Sequence, residues 1–156
     1  MQVTDRTVGD FDRVARFLTE RHARPVARRG ELLDPMQHPA LLAVAGGDLA
    51  GVLTYIPSTA SCEVLTLHVA DQWRGIGTAL LDALVRSAGP RWTQLRVTTT
   101  NDNLNALRFY QRREFALAEL RAGAVDAARS ALKPAIPLRG CHGLPIRDEL
   151  ELTRPL

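Results

Sequence analysis

Lysine is almost absent from this chain. Lys133 is the only one among 20 basic side chains, and arginine supplies the rest. With so much alanine around it, that usage reads as a genome composition bias. Cysteine is nearly as scarce. Cys62 and Cys141 fit no metal-ligand spacing and make no disulfide framework. Both are expected as reduced thiols, Cys62 buried at a strand start, and no metal site is expected. No apolar run approaches the ~18 residues of a membrane span. Met1 to Gly9 lacks a signal-peptide pattern. The expected location is the cytoplasm, with no membrane partner.

What is present is ordinary for a soluble globular protein, with 46% hydrophobic and 24% charged residues. A length of 156 residues suits one domain with a full core. No repeat, low-complexity segment or linker divides it, so residues 1–156 are expected to form a single domain. The pI of about 9.4 raises the question of a nucleic-acid partner. However, the net charge is only +3, and the arginines are scattered through helix-like segments rather than gathered in a run. No nucleic-acid partner is expected.

Along the chain, Val3 to Val8 alternates weakly as a first strand. Asp10 can cap a helix from Phe11 to about His22, with Phe11, Val14, Ala15, Phe17 and Leu18 as its apolar stripe. Ala23 to Pro39 carries three prolines and reads as a loop with a short helical turn. Leu41 to Ala45 and Leu49 to Ile56 flank Gly46-Gly47-Asp48, a hairpin signal. A strand over 62–69, a helix ending near Gly89-Pro90, a strand from Trp92 to Thr100, a helix from Asn103 to Arg113 and a strand from Phe115 to Leu120 follow. Ala122 to Leu132 suits a short helix, Lys133 to Pro145 a proline-stiffened loop, and Asp148 to Thr153 a last strand.

The most informative stretch is Gln72-Trp73-Arg74-Gly75-Ile76-Gly77-Thr78-Ala79, set between the strand and the helix. Strand, glycine-punctuated turn and helix start together make an anion cradle. Glycines let the backbone come close to a phosphate, and unpaired N–H groups of the first helical turn point at it. Arg74 can add a charge-assisted contact. The Gln-x-x-Gly-x-Gly spacing is neither the dinucleotide fingerprint nor the Walker loop.

A second segment follows about 30 residues later: Asn103, Ala106 and Tyr110, then Phe115. Together the two segments resemble motifs A and B of the GCN5-related N-acetyltransferase (GNAT) superfamily. The family's Gln/Arg-x-x-Gly-x-Gly/Ala loop falls on Gln72, Gly75 and Gly77. Its Asn-x-x-Ala-x-x-x-Tyr-x-x-x-Gly-Phe pattern falls on Asn103, Ala106, Tyr110 and Phe115, with Glu114 where glycine is usual. That departure bears on the turn after the helix.

The resemblance implies a mixed α/β fold, a central mostly antiparallel sheet of about six to seven strands flanked by helices. It also implies transfer of an acetyl group from acetyl-CoA directly to a primary amine of a small molecule or a protein N-terminus, in one ternary complex. The CoA pyrophosphate would lie on Arg74, Gly75, Ile76, Gly77, Thr78 and Ala79, the pantetheine arm along Leu67, His68 and Val69, with Asn103 and Ala106 touching it. Tyr110 takes the position of the general acid that protonates the departing thiolate.

The attacking amine must be neutral, because a lysine-like amine titrates near 10.4 and its protonated form has no lone pair. Glu63 is the candidate base, at the place on the motif A strand where several family members carry a glutamate. His68 is the rival. Simple pleating puts the two on opposite faces of the strand, although a bulge, common in this strand of the family, would change that.

The acceptor groove is implied to run along Ala23 to Pro39 and Lys133 to Arg147, where His142, Asp148 and Glu149 could meet a cationic substrate. Arg21, Arg24, Arg28 and Arg29 would disfavour a polybasic one. A CoA-binding module with little or no catalysis is the alternative reading. Monomer and homodimer are both compatible with the sequence, and donor chain length stays open.

Overall fold

The computed structural model describes residues 1–156, which fall into two compact units. The first comprises Met1–Val26, Asp34–Thr93 and Leu156; the second comprises Ala27–Leu33 and Gln94–Pro155.

In the first unit the strands run β1 (Gln2–Asp5), β4 (Ala40–Ala45), β5 (Asp48–Pro57) and β6 (Ser61–Val69), antiparallel in that spatial order. The β4–β5 turn is Gly46-Gly47, both with left-handed φ of 59° and 87°, as the glycine pair predicts. Helix α1 (Phe11–Glu20) buries Val14, Phe17 and Leu18 against Leu42 and Val52. Phe11 departs from the expected stripe: it is 46% exposed. Asp10 does not cap α1 with its side chain either. A 3-10 turn over Val8–Asp10 precedes the helix, so Asp10 sits a turn inside and accepts from both the backbone N–H and the hydroxyl of Thr7, each at 2.8 Å.

Helix α2 (Ile76–Ala88) buries Ile76, Leu80, Leu81, Leu84 and Ala88, a helical spacing. It lies so close on β5 that a Cβ at Gly51 would fall 2.8 Å from Ile76 Cγ2 and 3.0 Å from Leu80 Cδ1. Glycine at position 51 therefore sets how near the start of α2 comes to the sheet.

The second unit holds β7 (Gln94–Thr100), β9 (Glu149–Pro155) and β8 (Ala116–Arg121), antiparallel in that order, with α3 (Leu104–Gln111) and α4 (Ala124–Ala131). One face of β7 and β9 is apolar, with Leu95, Val97 and Leu152 buried. The other carries Arg96, Thr98 and Thr100 opposite Thr153, Glu151 and Glu149. The segment read as a loop over Ala23 to Pro39 contains a small hairpin, β2 (Val26–Arg28) and β3 (Glu31–Leu33), besides the expected helical turn at Pro35–Gln37. Its three-residue strands are too short to leave a period in the sequence. No helix of the chain is long and apolar enough to cross a membrane.

Candidate active site

In the loop from β6 to α2, glycine is required by the backbone at position 75. Gly75 is the residue before the helix, with φ 75° in the left-handed region, and nothing lies within 4 Å of where its Cβ would be. The first i to i−4 bond of α2 runs from Ala79 N–H to the Gly75 carbonyl at 3.0 Å. The amides of Gly75, Ile76 and Gly77 thus precede any helical acceptor. No acidic residue occupies the first turn, so nothing opposes the positive end of the helix dipole. Arg74 is exposed and only loosely paired with Asp71 at 3.9 Å, leaving its guanidinium able to swing to an anion. Thr78 and Ala79 are half-buried on the same turn, and Trp73, also left-handed, is 71% exposed beside it. Early helical amides, open space around Gly75 and a nearby exposed guanidinium are together features that suit an anion.

On β6 the structure decides a relationship that the sequence left open. Thr66 lies opposite Thr54, but the next pair toward the strand start is Val64 with Tyr55, so Leu65 is the extra residue of a β-bulge. Glu63, Thr66 and His68 consequently face Ile56, Thr54 and Val52, alternating residues of β5, and share one side of the sheet. Glu63 is buried, at 6% exposure, and is not the solvent-facing strand residue that alternation alone would allow. His68 is half-buried; burial, helped by the positive charge of Arg21, lowers its pKa to about 4. It is a neutral imidazole at pH 7. Leu67, His68 and Val69 pair along one strand edge with Leu53, Val52 and Gly51.

In the second unit, Asn103 caps α3, its side-chain oxygen accepting from Ala106 N–H at 3.2 Å. Tyr110 is buried, packed edge-on between Phe109 and Phe115 with ring centroids 5.1 and 5.2 Å away. Burial raises its hydroxyl well above the ordinary tyrosine range, so it stays protonated. Glu114, where the motif has glycine, adopts φ 67°. The turn needs the left-handed conformation whatever residue stands there. Its carboxylate bonds Arg154 at 2.8 Å from a largely exposed position.

The proline-rich loop is held by residues that spacing did not reveal. Asn101 donates to the Pro145 carbonyl at 2.8 Å and accepts from the amides of Arg147 and Asp148 at 3.0 Å. Asp102 is buried and accepts from Thr100 Oγ1 at 2.5 Å and from Cys141 N–H at 2.9 Å. The Asn-Asp-Asn run at 101–103 was the available signal, since such side chains bond nearby backbone. Arg129 reaches the carbonyls of Ile136, Pro137 and Ile146.

Two expected acceptor contacts are spent internally. Asp148 bonds Arg147 and the Gly123 amide, and these contacts lower its pKa. Glu149, 3% exposed, is held by Arg121 at 2.9 Å and by the Arg29 amide. His142 remains exposed at a left-handed position. Arg24 is likewise occupied, forming two 2.9 Å bonds with Asp34.

Comparison with known proteins identifies the family of the chain. The family described as Acetyltransferase (GNAT) family matches residues 10–115. An uncharacterized Bacillus subtilis protein, YxbD, is 42% identical over 109 residues, 69% of this chain and 68% of that one. A GNAT family acetyltransferase from Elizabethkingia anophelis with acetyl-CoA bound superposes with a TM-score of 0.72 at 18% identity, covering 99% of this chain and 97% of that one. A ribosomal-protein-alanine N-acetyltransferase from Brucella melitensis gives 0.69 at 17% identity, with both chains covered completely. The expected fold, a mostly antiparallel sheet flanked by helices, is thus the fold found, and the motifs lie within the matched residues: the chain belongs to the GNAT acetyltransferase family.

Proposed function

We propose that this protein is an acetyl-CoA-dependent N-acetyltransferase, moving the acyl group directly to a primary amine of a small molecule or a protein N-terminus. The observation that carries the reading is the donor-lined turn at Gly75–Gly77, inside a family match. The neighbour crystallised with acetyl-CoA supports the same donor. The family match includes parts of both units, which supports reading residues 1–156 as one acetyltransferase domain.

In this reading Arg74 to Ala79 hold the pyrophosphate, and Leu67, His68, Val69, Asn103 and Ala106 contact the pantetheine arm. Asn103 has its amide nitrogen to offer, since its oxygen serves the helix cap. The amine nitrogen attacks the thioester carbonyl, the carbon–sulfur bond breaks, and the amine's proton passes to Glu63 or His68. Tyr110 donates a hydrogen bond to the departing sulfur. A thiol titrates near 8.5, far below this hydroxyl, so Tyr110 stabilises the developing thiolate by sharing its proton.

The test is a thermal-shift titration with acetyl-CoA against free adenosine, followed by thiol-release assays with primary amines. Saturation at about 100 times Kd adds ~2.7 kcal/mol of stability, a shift of several degrees. Thiol release that requires an amine supports the transferase. A shift without amine-dependent release would leave a CoA-binding module, and no shift at millimolar acetyl-CoA would overturn the reading.

A further inference from the structure

We propose that the indole of Trp73 is the platform on which the adenine ring of the acetyl donor stacks. The chain then holds its donor by the base as well as by the diphosphate. This rests on the acetyl-CoA-dependent reading above.

Trp73 is the most exposed aromatic side chain of the protein, at 71%. The other tryptophan shows an indole that packing alone explains. Trp92 is 4% exposed, stands edge-on to Tyr55 with ring centroids 6.1 Å apart, and lies under the guanidinium of Arg91. The backbone of Trp73 departs as well. It and Gly75 take left-handed φ of 68° and 75° on either side of Arg74. Gly75 does so without a steric penalty, whereas for a bulky side chain this φ is an outlier. An asparagine or a glycine would hold the same turn with less strain, and burial does not offset the difference at position 73. Strained backbone of this kind gathers at ligand clamps and active sites.

Position selects the part of the donor that Trp73 meets. The candidate base Glu63 stands near the start of β6, Leu67 to Val69 form its end, and the anion-binding turn follows, all within the first unit. The strand from Glu63 to Val69 spans about 20 Å. The acyl group and the diphosphate therefore belong to opposite ends of the strand, and Trp73, two residues before Gly75, stands at the diphosphate end. In CoA a single ribose joins the base to the diphosphate, which brings adenine within one sugar of the turn. A base and an indole are both wide, flat π systems. Stacking needs neither a hydrogen bond nor a buried pocket, so an exposed ring suffices.

The experiment follows tryptophan emission and binding calorimetry as CoA, which carries the same nucleotide, is added to wild type, W73F and W73L. Trp73 and Trp92 are the only tryptophans, so a base on Trp73 quenches one of two emitters. CoA should quench the wild type, inorganic pyrophosphate at the same concentrations should not, and W73F should lose the response. In calorimetry W73L should bind CoA about tenfold more weakly, and W73F, which keeps a ring, should stay within about threefold of wild type. Quenching by pyrophosphate as strong as by CoA would overturn the inference, because movement of the loop alone would then explain it. So would unaltered affinity in W73L, or W73F binding as weakly as W73L. If CoA binds the wild type with no change in emission, the base lies elsewhere and only this inference falls. If CoA does not bind the wild type at all, the acetyl-CoA reading falls and this inference with it.

Discussion

The hydroxyls of Thr54 and Thr66 meet at 2.6 Å in the interior of the first unit, both essentially sealed from solvent. Thr66 is the last regular residue before the bulge at Leu65, so this bond fixes the register from which Glu63 is turned onto the side of His68. Either hydroxyl alone would be a buried polar group without a partner. Thr66→Val should therefore destabilise by ~1–3 kcal/mol, whereas Thr54→Val with Thr66→Val together should come out near neutral. Urea denaturation of the single and double variants measures the difference, and equal losses would show that the bond contributes nothing.

His68 gives the stability a pH slope. Its pKa is about 4 in the folded protein against 6.5 ordinarily. Between those values the unfolded chain binds a proton that the native state refuses. Stability should fall as the pH drops from about 6.5 to 4, with nothing further lost below, by up to ~3 kcal/mol. His68→Gln should flatten that part of the curve in denaturant melts at pH 7, 5.5 and 4.5.

The same low value separates the two candidate bases kinetically. With His68 neutral throughout, its titration leaves no inflection near 6.5 in the rate profile. Glu63→Gln should depress the rate most at neutral pH and recover partly at high pH, where free amine is abundant. A profile that does not move on this change would remove Glu63 from the role of base.

Tyr110→Phe keeps the edge-on packing with Phe109 and Phe115 and deletes only the oxygen. If that hydroxyl answers the leaving thiolate, kcat should drop ~10²-fold with acetyl-CoA affinity little altered. Full activity in the phenylalanine variant would dismiss the assignment.

At Gly75 strain and ligand binding can be told apart. Gly75→Ala meets no atom within 4 Å, so its cost is the left-handed backbone alone, ~1–2 kcal/mol. Gly77→Asp should instead abolish the stabilisation by acetyl-CoA, because a carboxylate would stand against the pyrophosphate. Thermal shifts with and without ligand give both numbers. Retained affinity in Gly77→Asp would mean that the diphosphate lies elsewhere.

Sequence alone determined what depends on near neighbours in the chain. The glycine pair at 46–47 and the glycine-bearing start of α2 are local demands of φ, and they appear where the residues require them, whereas the side-chain cap expected of Asp10 does not form. Even the one departure from the motif, Glu114, obeys that logic, since the turn keeps its left-handed conformation with a residue ill suited to it.

Tertiary structure decided whatever depends on a partner strand. The bulge at Leu65 has no signal in β6, because it is defined by a register with β5; one extra residue exchanges faces and brings Glu63 and His68 to the same side. Asp148 and Glu149 suggest substrate contacts in the sequence, yet Arg121, Arg147 and the Arg29 amide hold them internally. Charge in a sequence is only a sum. Whether a given arginine is answered, as Arg121 is, follows from which side chains the sheet lays beside it.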